Sequence, residues 1–152
     1  MTRNENSVSA YVFLSYTKSN RKLADVLINE LKKSGIKVWN DQNIKPGNEV
    51  SGGIKKALES CNSMIALLDE HSFSSSYVRK ELQFAFFDER YKNRLLPVFI
   101  GDKSDISFSR LPWILNELRA LRIPDGQSFE IAAKMISKEF FLQLKIEGRD
   151  FT

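Results

Sequence analysis

The 152-residue chain has one cysteine, Cys61, and one histidine, His71. A single thiol cannot close an intramolecular disulfide, and it fits a reducing cytosol. One Cys and one His also fall short of the usual zinc ligand sets, so no metal is expected. No apolar run approaches the roughly 18 residues that cross a bilayer, so no membrane partner is expected. The stretch Met1 to Ser9 is polar and lacks an apolar signal core, which argues against secretion. Neither sign of charge dominates: 23 Lys and Arg against 19 Asp and Glu leave +4. The basic clusters Lys32-Lys33 and Lys55-Lys56 are short, where a nucleic-acid binder gathers Lys and Arg on one face. No nucleic-acid partner is expected, and the reading is a cytoplasmic protein. Hydrophobic content of 42% and charged content of 28% are those of an ordinary globular domain with one core.

Strand-like and helix-like patterns alternate along the chain. Tyr11 to Tyr16 is a near-continuous apolar run, as in a strand buried on both faces. Ser19 or Asn20 then caps an amphipathic helix on which Leu23, Leu27 and Leu31 recur every fourth residue, and Gly35 ends it. Ile36 to Trp39 reads as a second strand, followed by the turn-rich loop Asp41 to Asn48. Ile54, Ala57, Leu58 and Cys61 form the stripe of a second helix, and Met64 to Leu68 reads as a third strand. Ser74 to Arg90 reads as a helix with Val78, Leu82 and Ala85 inward. Leu95 to Ile100 is a fourth strand closed by Gly101; its Pro97 cannot donate a ladder bond, which points to a strand start or an edge. Ser107 to Arg110 reads as loop, Leu111 to Glu117 as a short helix, and Leu118 to Ile123 contains a fifth strand. Phe129 to Leu144 closes the chain as a helix with Ile131, Met135, Ile136 and Phe140 on one side. Such alternation implies an α/β fold, a five-stranded parallel flavodoxin-like sheet with helices on both faces.

The loops exclude several chemistries that use this scaffold. Where a dinucleotide fold needs Gly-x-Gly-x-x-Gly after the first strand, the chain has Ser15-Tyr16-Thr17-Lys18-Ser19-Asn20. No P-loop is present. The hydroxyls of Ser15, Thr17 and Ser19 suit either a phosphate near a helix N-terminus or a plain turn and cap. Asp69 stands about where a phosphoacceptor aspartate would, yet the acids that hold magnesium after the first strand are missing, so it reads as a loop or cap residue. Cys61 lies on an apolar stripe and reads as core. Glu81 stands apart. It sits early in a helix that follows the third strand, at the sheet edge where ligands bind in open α/β folds. Tyr77 lies four residues before it, on the same helix face. The plain alternative for Glu81 is a solvated helix residue paired with Lys or Arg.

Three segments, in order and at suitable spacing, resemble the TIR (Toll/interleukin-1 receptor) domain family. They are Val12-Phe13-Leu14-Ser15-Tyr16, then Gly35 to Asp41 with Ile44-Lys45-Pro46-Gly47, then Ser75-Ser76-Tyr77-Val78-Arg79-Lys80-Glu81-Leu82. The last is similar to the family's Trp-x-x-x-Glu-Leu helix start, with Tyr77 in place of Trp. The resemblance covers Tyr11 to Ile100 well and Leu111 to Phe141 loosely. It implies a domain over residues 11–145, between a flexible N-terminus (1–10) and a C-terminal tail (146–152), with no separate sensor domain.

Some members of that family are adaptors that act by self-association, and others cleave NAD+ between nicotinamide and ribose. The catalytic glutamate of the second class matches Glu81. The resemblance therefore implies an NAD+ glycohydrolase or ADP-ribosyl cyclase with Glu81 catalytic and Ser15, Thr17, Lys18, Asp41, Lys45 and Tyr77 at the substrate; Trp39 reads as core. NAD+ is the substrate, with no cofactor. It further implies self-association through the loop Asn43 to Glu49, and a defence role in bacteria with a separate effector protein sensing the product. The rival functions are a non-enzymatic TIR–TIR adaptor or host-signalling mimic, and a nucleoside deoxyribosyltransferase, which uses a similar fold and a glutamate.

Overall fold

Alternate residues of the central strands feed two different cores, and that alternation decides where the site lies. The computed structural model describes residues 10–40, 56–69, 76–101 and 120–150. Within them, β1 (Tyr11–Ser15), α1 (Arg21–Lys33), β2 (Lys37–Asn40), β3 (Ser63–Leu68), α2 (Ser76–Phe87), β4 (Leu95–Ile100), β5 (Leu121–Ile123) and α3 (Phe129–Asp150) follow in order, with short 3-10 turns at Lys18–Asn20 and Glu89–Tyr91. Residues 56–60 are also helical. The five strands form one parallel sheet in the order β2-β1-β3-β4-β5.

On one face, Val12, Leu14, Ile65, Leu67, Leu96, Val98 and Ile123 pack against α1 and α3. Leu23, Leu27 and Leu31 of α1 meet Ala133, Ile136 and Phe140 of α3 in that core. On the other face, Phe13, Met64, Ala66, Leu68, Leu95 and Phe99 pack against Ala57, Leu58 and Cys61, and against Leu82 and Ala85 of α2. Helices on both faces explain why the strands read as continuous apolar runs.

The end of α1 is a Schellman motif. Gly35 takes φ +83°, its N–H donates to Lys32 O at 2.9 Å, and the Ile36 N–H donates to Leu31 O at 3.0 Å. Leu31 and Ile36 are buried in the same core, the apolar contact that accompanies this stop.

Several expectations are corrected. The helix over Ser74 to Arg90 ends at Phe87, because Asp88 turns extended (φ −95°, ψ 126°) and its carboxylate caps the next turn by accepting from the Arg90 N–H. Pro97 stands inside β4 rather than at a strand start or on an edge strand. It pairs with Ala66 on β3, and the ladder to β5 begins only at Val98, so the β5 side of the strand is still unpaired at the proline. On α3, Ile131 is 50% exposed; Ala132, Ala133, Ile136, Phe140 and Leu144 carry the inward face. That helix also runs past Leu144, to Asp150. The expected loop Ser107 to Arg110, the helix Leu111 to Glu117, Ile54, and the side chain of Val78 lie outside the described residues.

Candidate active site

In the order β2-β1-β3-β4-β5 the winding reverses between β1 and β3. The crevice at the carboxyl ends of those two strands is the place where open α/β sheets bind ligands. Three of the residues singled out in the sequence reach this edge by simple periodicity. Ser15 is the last residue of β1 and shares its face with Phe13, so it lies on the α2 side. Glu81 lies in the second turn of α2, one residue before the inward Leu82. Asp69 directly follows β3.

Glu81 is only 3% exposed, and Ser15 is buried as well. Ser15 Oγ donates to Glu81 Oε1 at 2.6 Å. That length falls within the roughly 2.5–2.7 Å of a hydroxyl bonded to an ionised carboxylate. The solvated, surface-paired alternative for Glu81 is therefore wrong. A buried carboxylate is costly unless hydrogen-bonded, and Ser15 supplies one such bond from a fixed strand. A carboxylate held in this way can stabilise positive charge that develops beside it.

The hydroxyls of Thr17 and Ser19 bond to protein. Thr17 Oγ1 and Ser19 Oγ are 2.9 Å apart, and Ser19 Oγ donates to Asp69 Oδ2 at 2.8 Å. The same oxygen accepts from Asn20 Nδ2 at 3.2 Å. Asn20 stands at the N-cap of α1, as expected, but its side chain makes no cap bond. Its amide goes to Asp69 instead. Lys18 is exposed in the middle of this turn. The turn-and-cap expectation thus held for position but missed the long-range partner. The signal was available: β1 and β3 are adjacent in the expected sheet order, so Asp69 and the Ser19-Asn20 pair had to meet at one edge.

The other expected site residues are placed less fully. The Tyr77 backbone lies in the first turn of α2, four residues before Glu81, and its side chain is outside the described ones. Asp41, Lys45 and the loop Asn43 to Glu49 lie outside the described residues. Trp39 stacks on Phe13 with ring centroids 4.8 Å apart, consistent with packing rather than substrate contact. Cys61 is fully buried, and burial pushes its thiol up to about 12, partly opposed by Arg90 and Lys37. A thiol so rarely ionised is no nucleophile. Among the described residues no three His, Cys, Asp or Glu side chains gather as a metal site, and no helix is long and apolar enough to cross a membrane.

Comparison with known proteins identifies the family. The family model described as "TIR domain" matches residues 12–130. A "Probable 2' cyclic ADP-D-ribose synthase TcpO" from Methanobrevibacter olleyae is 27% identical over 89 residues, 57% of this chain and 26% of that protein. An "NAD(+) hydrolase PdTIR" from Paracoccus denitrificans is 26% identical over 110 residues, 70% of this chain and 37% of that protein. The chain thus spans well under half the length of these relatives. Among solved structures, a metazoan TIR-STING receptor from C. gigas in complex with 2',3'-cGAMP superposes with a TM-score of 0.68 at 19% identity, over 95% of this chain and 41% of that one.

Proposed function

The chain belongs to the TIR domain family, and from that premise we propose that it cleaves NAD+ at the bond between nicotinamide and ribose, with Glu81 as the catalytic carboxylate. The observation that carries the proposal is the buried Glu81 carboxylate, bonded by Ser15 at 2.6 Å beside the switch point of the sheet. The names of the two relatives, an NAD+ hydrolase and a probable cyclic ADP-ribose synthase, support the same reading at 26% and 27% identity.

The chemistry suits a single carboxylate. The nicotinamide of NAD+ is a cationic leaving group. As its bond to the ribose carbon breaks, the bonding pair moves to the ring nitrogen and nicotinamide departs neutral, without a general acid. Positive charge passes to the sugar, which becomes oxocarbenium-like, as in glycoside hydrolysis. Glu81 stabilises that charge and engages the ribose hydroxyls. Water then attacks the sugar carbon, loses a proton and gives ADP-ribose. If a nucleophile of the same molecule attacks instead, a cyclic ADP-ribose forms. No metal or separate cofactor enters the step.

In this proposal Thr17, Lys18, Asp41, Lys45 and Tyr77 shape the substrate site, and self-association through Asn43 to Glu49 assembles the active form. The protein acts in the cytoplasm, and a separate effector senses the product, in the manner of bacterial antiphage defence.

The test is incubation of concentrated protein with NAD+, with products resolved by chromatography and mass. Nicotinamide release that Glu81→Gln abolishes supports the proposal. A non-enzymatic TIR–TIR module predicts the reverse pattern: Glu81→Ala leaves biological output intact, while changes within Asn43 to Glu49 abolish it. A deoxyribosyltransferase would act on nucleosides and spare NAD+.

A further inference from the structure

The Asp69 cluster is not explained by bond cleavage at Glu81. One carboxylate oxygen accepts from two residues of the turn after β1, Ser19 at 2.8 Å and Asn20 at 3.2 Å, and Ser19 is itself 2.9 Å from Thr17 Oγ1. The backbone closes the same turn, with the Asn20 N–H donating to Thr17 O at 2.9 Å. Asn20 forgoes a local helix cap, worth about 1 kcal/mol, to make this contact across 49 positions of sequence. The chain leaving β1 is therefore tied twice: Ser15 to Glu81 on α2, and Ser19-Asn20 to Asp69 after β3. Between the ties lies Lys18, the exposed cation nearest in sequence to Ser15.

We propose that Asp69 is a positioning residue for substrate binding: it fixes the Thr17–Asn20 turn, and Lys18 within it, for the anionic diphosphate part of the dinucleotide. This rests on the NAD+ reading of the site. Asp69 acts on the ground-state complex and takes no part in breaking the nicotinamide bond. Loss of binding shared by ground state and transition state raises KM and leaves kcat unchanged. The required feature is an acceptor oxygen rather than a charge, so an amide at the same position serves.

The experiment compares the full chain with Asp69→Ala, Asp69→Asn, Ser19→Ala and the double variant Asp69→Ala/Ser19→Ala in NAD+ turnover. Amide hydrogen exchange across Thr17–Asn20 is measured in parallel. Loss of the two hydrogen bonds to Asp69 Oδ2 predicts that Asp69→Ala raises KM about tenfold with kcat within about twofold. Asp69→Asn stays within about twofold of wild type in both, and the double variant stays within about twofold of Asp69→Ala, because the Ser19–Asp69 bond is already lost and only the Ser19–Thr17 contact is left to remove. Exchange in the turn quickens by about tenfold in Asp69→Ala, while the segment holding Glu81 is unchanged. A loss that falls on kcat and persists in Asp69→Asn overturns the proposal, as does unchanged KM and exchange in Asp69→Ala. If Asp69→Ala does not fold, Ser19→Ala decides: KM up about threefold at constant kcat supports the proposal, and unchanged KM overturns it. If wild type releases no nicotinamide, the NAD+ reading fails. The exchange arm then still decides whether Asp69 holds the turn, and unchanged exchange sinks that too.

Discussion

Ser15 Oγ donates to Glu81 Oε1 at 2.6 Å, joining the end of β1 to the second turn of α2 across 66 positions of sequence. Together they hold a carboxylate out of water on two rigid elements, which is how a site keeps a charge aimed at a reacting centre.

Ser15→Ala removes the hydroxyl and leaves the buried Glu81 carboxylate short of one donor. We expect a stability loss of about 1–3 kcal/mol, read from urea unfolding. Nicotinamide release drops by about tenfold or more, because the carboxylate loses its fixed position.

Tyr91→Phe tests a different support. Tyr91 Oη donates to Leu58 O at 2.5 Å, and Arg90 Nη1 donates to Glu59 O. These donors satisfy carbonyls in the last turn of the helical residues 56–60, with the guanidinium placed favourably at the helix's negative end. Deleting the Tyr91 hydroxyl leaves a buried carbonyl unsatisfied and costs about 1–3 kcal/mol. An unchanged unfolding midpoint would show that another donor takes over.

Cys61 sets an alkaline dependence. Burial raises its thiol from 9.0 to about 12, so between those values the folded chain keeps a proton that the unfolded chain releases. Stability therefore falls as pH rises from about 9 toward 12. Cys61→Ala flattens part of that decline, and iodoacetamide labels wild type at pH 8 only after denaturant is added.

Asp88 sets an acid dependence of opposite sign. Its bidentate hydrogen bonds from Arg90, at 3.0 and 2.8 Å, and the cap bond from the Arg90 N–H hold its carboxyl below the ordinary 3.8 against a smaller effect of burial. The contribution is present above that value and is lost as pH falls through the lower, folded one. Both side chains are partly exposed, so the ion pair itself contributes less than about 1 kcal/mol. Asp88→Ala, measured by unfolding, costs about 1 kcal/mol near pH 7, chiefly from the lost cap. The difference from wild type shrinks below pH 3.8.

Much of the fold was legible because the central strands β1, β3 and β4 are buried on both faces and the element boundaries have local causes. Leu95–Ile100 was read to the residue, and Gly35 ends α1 for the reason its position implies. Periodicity was least informative where two assignments of a face competed. Ile131 is as apolar as Ile136, yet Ala132 and Ala133 are buried in the core that α1 shares, and Ile131 is left half exposed. At the site, Glu81 was visible through its spacing from Tyr77, its place after β3 and the resemblance of Ser75 to Leu82 to the TIR helix start. Ser15 was legible as a candidate for the site, but its partner was not, because a hydrogen bond across 66 positions has no local signature. Asn20 was read as a cap because local capping is the commoner use of such a residue, and here a tertiary contact to Asp69 wins.

The most direct measurement is the rate of nicotinamide release from NAD+ by concentrated wild-type protein and by Glu81→Gln, an isosteric change that removes the charge. Loss of the electrostatic stabilisation predicts a fall of at least about 100-fold in kcat, with the unfolding midpoint little changed. Equal rates in the two proteins would contradict the account, since the charge on Glu81 would then have no part in the reaction.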